Sequence, residues 1–152
     1  MSTRVLVPSG ALGLGFDPKA LALGIERSPD AICIDGGSTD SGPFYLGTGT
    51  SKYSRATTKA EWRELMMARA EASVPLIIGS CGTCGTGATV DWMLDITIEI
   101  ARELGQEVKV ATLRSDQPQQ RVRDALDAGQ IFPLEPAPHI SATTIDACTN
   151  IV

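Results

Sequence analysis

Three times along this chain a short apolar run ends in a bunch of glycines, and each bunch leads toward a helical pattern. "RVLVP" (Arg4–Pro8) opens into "SGALGLGFD", "AICID" (Ala31–Asp35) into "GGSTDSG", and "PLIIG" (Pro75–Gly79) into "GSCGTCGTG". Runs this short, apolar on both faces, read as strands covered on both sides, and glycines directly after them make tight strand-to-helix turns. "VKVATL" (Val108–Leu113) reads as a fourth strand ahead of another helix. Strand, loop and helix in this order predict an α/β domain: a three-layer, mostly parallel sheet of about four or more strands with helices on both faces. The layout is Rossmann-like without a standard dinucleotide fingerprint.

The helices carry their own punctuation. Asp17 caps a helix over "KALALGIER" with Pro18 at its first position. Thr58 and Glu61 are spaced as a capping box in "TKAEWRELMMARAEA", with Trp62, Leu65 and Met66 on one face. The helix after the third glycine bunch runs to Leu104 with Gly105 past its end. Val90, Met93, Leu94, Thr97 and Leu104 form one face of it, and Trp92, Ile96 and Ile100 carry apolar character around the cylinder. Such a helix is covered twice, by the sheet and by a symmetric or additional element. "SDQPQQRVRDALDAG" is a further helix between Pro118 and Gly129. Residues 1–138 form the α/β domain. Residues 139–152 read as a linker, capped at Ser141 or Thr143, and the start of a helix from Ile145 that belongs to a following domain.

Composition narrows the partners. A net charge of −5 with no basic cluster argues against nucleic acid and anionic membrane surfaces. No apolar run approaches a membrane span, and Pro8 and Gly10 interrupt any signal-like segment. The expected location is the cytoplasm, where the four cysteines stay reduced.

In parallel α/β sheets, ligands bind beyond the carboxyl ends of the strands. Here that rim carries Ser9, Gly10, Gly36, Gly37, Ser38, Thr39, Ser80, Gly82, Thr83, Gly85, Thr86 and Arg114 as candidate ligand-binding residues. Glycines admit a ligand to the backbone, and the amides at a helix start attract a phosphate, a carboxylate or a coenzyme A tail. Tight turning alone also explains each loop. Neither nucleotide motif fits: "GALGLG" has its glycines in the wrong order, and "GSCGTCGTG" lacks the Lys-Ser/Thr ending of a phosphate-binding loop. No cofactor is therefore assigned.

Asp35 and Asp40 flank a glycine-rich turn, where two carboxylates can divide acid and base work or hold a divalent metal. The plainer reading has Asp35 capping its own turn. Then comes a connection of about twenty residues, a length typical of lids and binding loops. It holds Tyr45, Lys52, Tyr53 and Arg55. Asp35, Asp40, Lys52 and Tyr53 are the candidate catalytic groups, and Arg55 a ligand-binding one.

Cys81 and Cys84 precede a helix, where a thiolate is stabilised and a thiol's pKa falls. With Cys33 they make a set of the kind that holds an iron–sulfur cluster. The plainest alternative makes them small residues in a packed turn. His139 sits in a proline-marked connection and reads as exposed.

The segments "VLVPSGALGLGFD", "IDGGSTDSGPFYLGTGTSKYSR" and "PLIIGSCGTCGTGATVDWMLDI" resemble the amino-terminal part of the acyclic terpene utilisation (AtuA-like) family, and the similarity spans nearly the whole chain. Members are longer and are associated with catabolism of branched acyclic terpenes and other small organic acids. Their corresponding loop often resembles "GSAGTAG", which implies that small residues suffice at Cys81 and Cys84. The resemblance implies an enzyme domain for a small carboxylic acid or acyl-thioester, of lyase, hydratase or isomerase type. It also implies a homo-oligomer or a further carboxy-terminal domain. A non-catalytic ligand-binding or assembly domain is the alternative, and a redox or iron–sulfur protein a further one.

Overall fold

A computed structural model of the chain describes residues 2–37, 41 and 43–152. The first βα unit forms as its punctuation predicts. β1 (Val5–Leu6) leads to α1 (Pro18–Glu26), whose cap Asp17 accepts the Lys19 amide at 2.8 Å with Pro18 in the first turn. β2 (Ala31–Asp35) follows, then α2 (Pro43–Thr48), α3 (Arg55–Ala72) and β3 (Leu76–Gly79). A single 3-10 turn over Cys81–Thr83 precedes α4 (Gly87–Leu104), and Gly105 ends α4 in the left-handed conformation that glycine tolerates. α5 (Gln119–Asp127) and α6 (Ala142–Ala147) complete the described elements.

The sheet has three strands in the order β1-β2-β3, all parallel. Consecutive right-handed crossovers that step across a sheet in one direction place their helices on the same face. The core agrees. Ile32 pairs in register with Leu6 on one side and Leu76 on the other, and Ile34 with Ile78. These residues pack with Leu21 of α1, Leu65 and Met66 of α3, and Met93, Ile96 and Ile100 of α4. On the opposite face Val5 is 52% and Ile77 53% exposed. The expectation of about four or more strands is corrected to three, and no second helical layer is seen among the described residues.

The reason lies at Val108–Leu113. Its apolar run reads as a strand, but it has no regular secondary structure and does not pair with β3. A cavity of about 690 Å³ separates it from the β3 edge, and Leu113 is 88% exposed. Its exit is tied elsewhere: the Asp116 carboxylate accepts the Gly87 amide at 2.9 Å, and Arg114 donates to the Gly87 carbonyl at 3.0 Å.

Two helix boundaries also differ from expectation. α3 is capped by Ser54, which accepts the Thr57 amide at 3.1 Å, so Thr58 is a buried position inside the helix and not a cap. The long connection contains α2, whose carboxyl end is covered by the end of the chain: Thr149 Oγ1 donates to the Gly47 carbonyl and Asn150 Nδ2 to that of Leu46. The last helix starts at Ala142, three positions ahead of the expected Ile145, with Ser141 as its cap and a reciprocal Thr144 contact. No helix among the described residues is long and apolar enough to cross a membrane.

Candidate functional site

The loops after the strands meet at the carboxyl edge of the sheet. Leu12 donates its amide to the Asp35 carbonyl at 2.8 Å, Gly36 to the Gly79 carbonyl at 2.6 Å, and Thr83 to the Gly36 carbonyl at 3.3 Å. The Thr83 hydroxyl in turn accepts the Lys52 amide at 3.0 Å. Loop-to-loop contact, more than ligand access, accounts for Gly36 and Gly37, while Gly10 and Gly79 face open space. A Cβ at Gly36 would stand 2.6 Å from the Gly79 carbonyl oxygen, and one at Gly37 2.3 Å from the Thr83 Cα. Gly36, Gly37, Gly82, Thr83 and Thr86 are all buried. Their backbone is in the packed interior, where no ligand reaches it directly.

The chain's own carboxylates meet backbone amides at two places on this rim, one of them the helix start expected to attract an anion. Glu61, projecting from α3, accepts the amides of Gly13 at 2.6 Å and Gly15 at 3.1 Å. Asp116 occupies the Gly87 amide at the start of α4. Arg114, expected to hold a ligand anion, is instead paired with Asp91, which holds that carboxyl below the usual carboxylate range. Ser9 turns inward, donating to the Ala11 carbonyl at 3.0 Å, while Gly10 and half-buried Ser80 lie at the surface of the rim. In the sequence Glu61 reads only as part of a capping box and Asp116 only as the end of a strand on the rim. Each acts across a tertiary contact.

Asp35 accepts the Gly37 amide at 3.1 Å, capping its own turn. Ser38, Thr39 and Asp40 lie outside the described residues. Lys52 is exposed, donates to the Ser41 hydroxyl at 2.9 Å, and stands 5.8 Å from the centre of the Tyr53 ring. That ring lies against Gly13, whose absent Cβ would stand 2.3 Å from it.

The residues that do come together form a cleft of about 390 Å³ between the connection and α4. Tyr53 and Arg55 face Ala88, Thr89 and Trp92 across it, with Thr50 and Ser51 at its side. Arg55 also donates to Glu99 at 2.6 Å. A guanidinium, a phenol and hydroxyls beside an indole can orient a small carboxylate with an apolar tail. Trp92 and Thr89 are additions to the sequence-derived site. Their helical spacing pointed only to packing.

Cys81 runs against the thiolate expectation. Burial pushes the Cys81 thiol up from its ordinary value, so the helix start does not activate it. Cys84 is buried beside the Thr86 and Thr89 hydroxyls, at 3.8 and 3.7 Å. Cys33 pairs in register with Ile77 inside the sheet. Among the described residues no three His, Cys, Asp or Glu side chains gather as a metal site, so Cys33, Cys81 and Cys84 do not form the cluster set considered above. No family model, curated protein or solved structure matches the chain.

Proposed function

We propose that this chain is the amino-terminal α/β domain of a catabolic enzyme, similar to the AtuA-like family, that acts on a small branched carboxylic acid or its acyl-thioester. The cleft between Tyr53, Arg55 and the first turns of α4 carries this reading. Arg55 receives the carboxylate or thioester oxygen, the Tyr53 phenol supplies a proton donor, and Trp92 covers the hydrocarbon. Lys52 sets a positive field at the rim, with Asp35 or Asp40 as the base of a lyase, hydratase or isomerase step. Coenzyme A enters only as part of a thioester substrate. We place this enzyme in the cytoplasm, as its four cysteines and the absence of a signal-like segment in the sequence suggest. The exposed sheet face at Val5 and Ile77 supports a third layer supplied by a homo-oligomer partner or a further domain.

Calorimetric titration with isovalerate and isovaleryl-coenzyme A tests this. Saturable binding is expected, weakened about tenfold or more by Arg55→Gln, the scale of a charge-assisted hydrogen bond. Affinity unchanged in Arg55→Gln and Tyr53→Phe would remove the cleft from consideration.

A second reading, a non-catalytic ligand-binding or assembly domain, is favoured by one observation: Glu61 and Asp116 fill the anion-binding amides from within. It predicts that Asp35→Asn leaves turnover of the whole enzyme unchanged, whereas the enzyme reading predicts its loss.

A further inference from the structure

We propose that the slot along the free edge of β3 is a second ligand site, distinct from the rim cleft, built for a monocarboxylate with an unbranched apolar chain such as a medium-chain fatty acid. The slot has a volume of about 690 Å³, within the range of small-molecule sites. Its walls are apolar: Trp62 and Met66 from α3, Ile78 from β3, Met93 from α4, and Val110 from the Val108–Leu113 segment outside. It shares no lining residue with the rim cleft.

Charge selects the occupant. The whole chain has 18 acidic against 13 basic side chains, yet the slot is lined by Arg69 and Lys109 and by no carboxylate. Arg69 lies in the last turn of α3, near Ser73 and Val74, and so at the amino end of β3. Its Nε is buried without a hydrogen-bond partner among the described residues. That nitrogen faces away from the slot; the rest of the guanidinium, on a side chain only partly buried, lines the slot and presents the fork of donors that a carboxylate matches. At the other end of β3 stands Cys81, whose thiol stays neutral because it is buried, so that end receives hydrocarbon. The ligand thus lies along β3, head at Arg69 and tail toward Cys81. Val108–Leu113, unpaired with the sheet, forms the outer wall.

The test is a titration of the 152-residue chain with decanoate, decanol and decyltrimethylammonium, followed by the NMR signals of the Trp62 indole and the Met66 and Met93 methyls. Expected are saturable shifts at all three residues and decanoate binding about tenfold or more tighter than decanol. Arg69→Gln is expected to bring decanoate down to the affinity of decanol while leaving decanol unchanged, which also shows that the slot is intact. The shifts of Trp62, Met66 and Met93 are expected to keep their midpoint when isovalerate is added to fill the rim cleft, which separates this site from the rim. Equal affinity for the three probes in the wild-type chain overturns the proposal, as does the absence of saturation. Shifts confined to the rim, or a dimer by light scattering that excludes decanoate, overturn it too.

Discussion

Glu61 reaches from α3 back to the loop after β1 and accepts two backbone amides there. A charged acceptor on two amides is worth more than a neutral one, although Gly13 is only half-buried and Gly15 exposed. Glu61→Gln keeps the shape and removes the charge. We expect about 1–3 kcal/mol of lost stability, read by thermal denaturation, with faster hydrogen exchange at Gly13 and Gly15. Gly37 is the sharper case, because the Cβ of alanine would meet the Thr83 backbone, which cannot swing aside as a side chain can. Gly37→Ala is expected to cost about 2–4 kcal/mol, in the range of severe backbone conflicts. Unchanged melting of either variant would refute these contacts. At this scale the local signals were readable: Asp17 with Pro18, the self-capped Asp35 and Gly105 each act within a few residues. Glu61 was not, because its partners lie 46 and 48 residues away and nothing in its neighbourhood announces them.

α3 and α4 are joined along their exposed sides by a ladder of ion pairs. Arg55 and Lys59 meet Glu99, and Lys59 and Arg63 meet Glu103. Hydrogen bonds from Lys59 and then Arg55 hold the Glu99 carboxyl below its ordinary range, and those from Lys59 to Glu103 and Glu99 raise the Lys59 ammonium. A depressed carboxyl contributes stability above its unfolded pKa and loses it as pH falls through the folded value. A raised ammonium contributes below its unfolded pKa and loses it as pH rises through the folded value. The melting temperature should therefore fall on both the acid and the alkaline limb, and Lys59→Gln should flatten both. The ladder is exposed, so about 1 M salt should mute the difference between wild type and variant. A difference unmoved by salt would contradict a surface network. Cys81, buried and with its thiol pushed up, should react with iodoacetamide at neutral pH more slowly than an unperturbed thiol.

Most elements were visible as elements because each carries its own period and its own stop signals. The miss at Val108–Leu113 has a tertiary cause. Its apolar, β-branched residues make that segment fit for a sheet, but Arg114 and Asp116 anchor its exit on α4. The first turn of α3 was misplaced for a similar reason: Thr58 looks like a cap, yet Ser54 caps the helix and Thr58 is buried.

Among the described residues, three parallel strands carry α1, α3, α4 and the core on one face, and the carboxyl rim is drawn together by backbone bonds between loops. The α/β class followed from the recurrence of strand, glycine turn and helix. The location of the cleft did not, since "GSCGTCGTG" suggested ligand access where the structure has packing. What remains open to a ligand at the rim is bounded by the connection after α2 and by α4. Amide and indole shift mapping with isovalerate tests that claim most directly. The account predicts shifts centred on Tyr53, Arg55, Thr89 and Trp92, all lost in Arg55→Gln. Shifts absent there, or unaltered by that substitution, would contradict it.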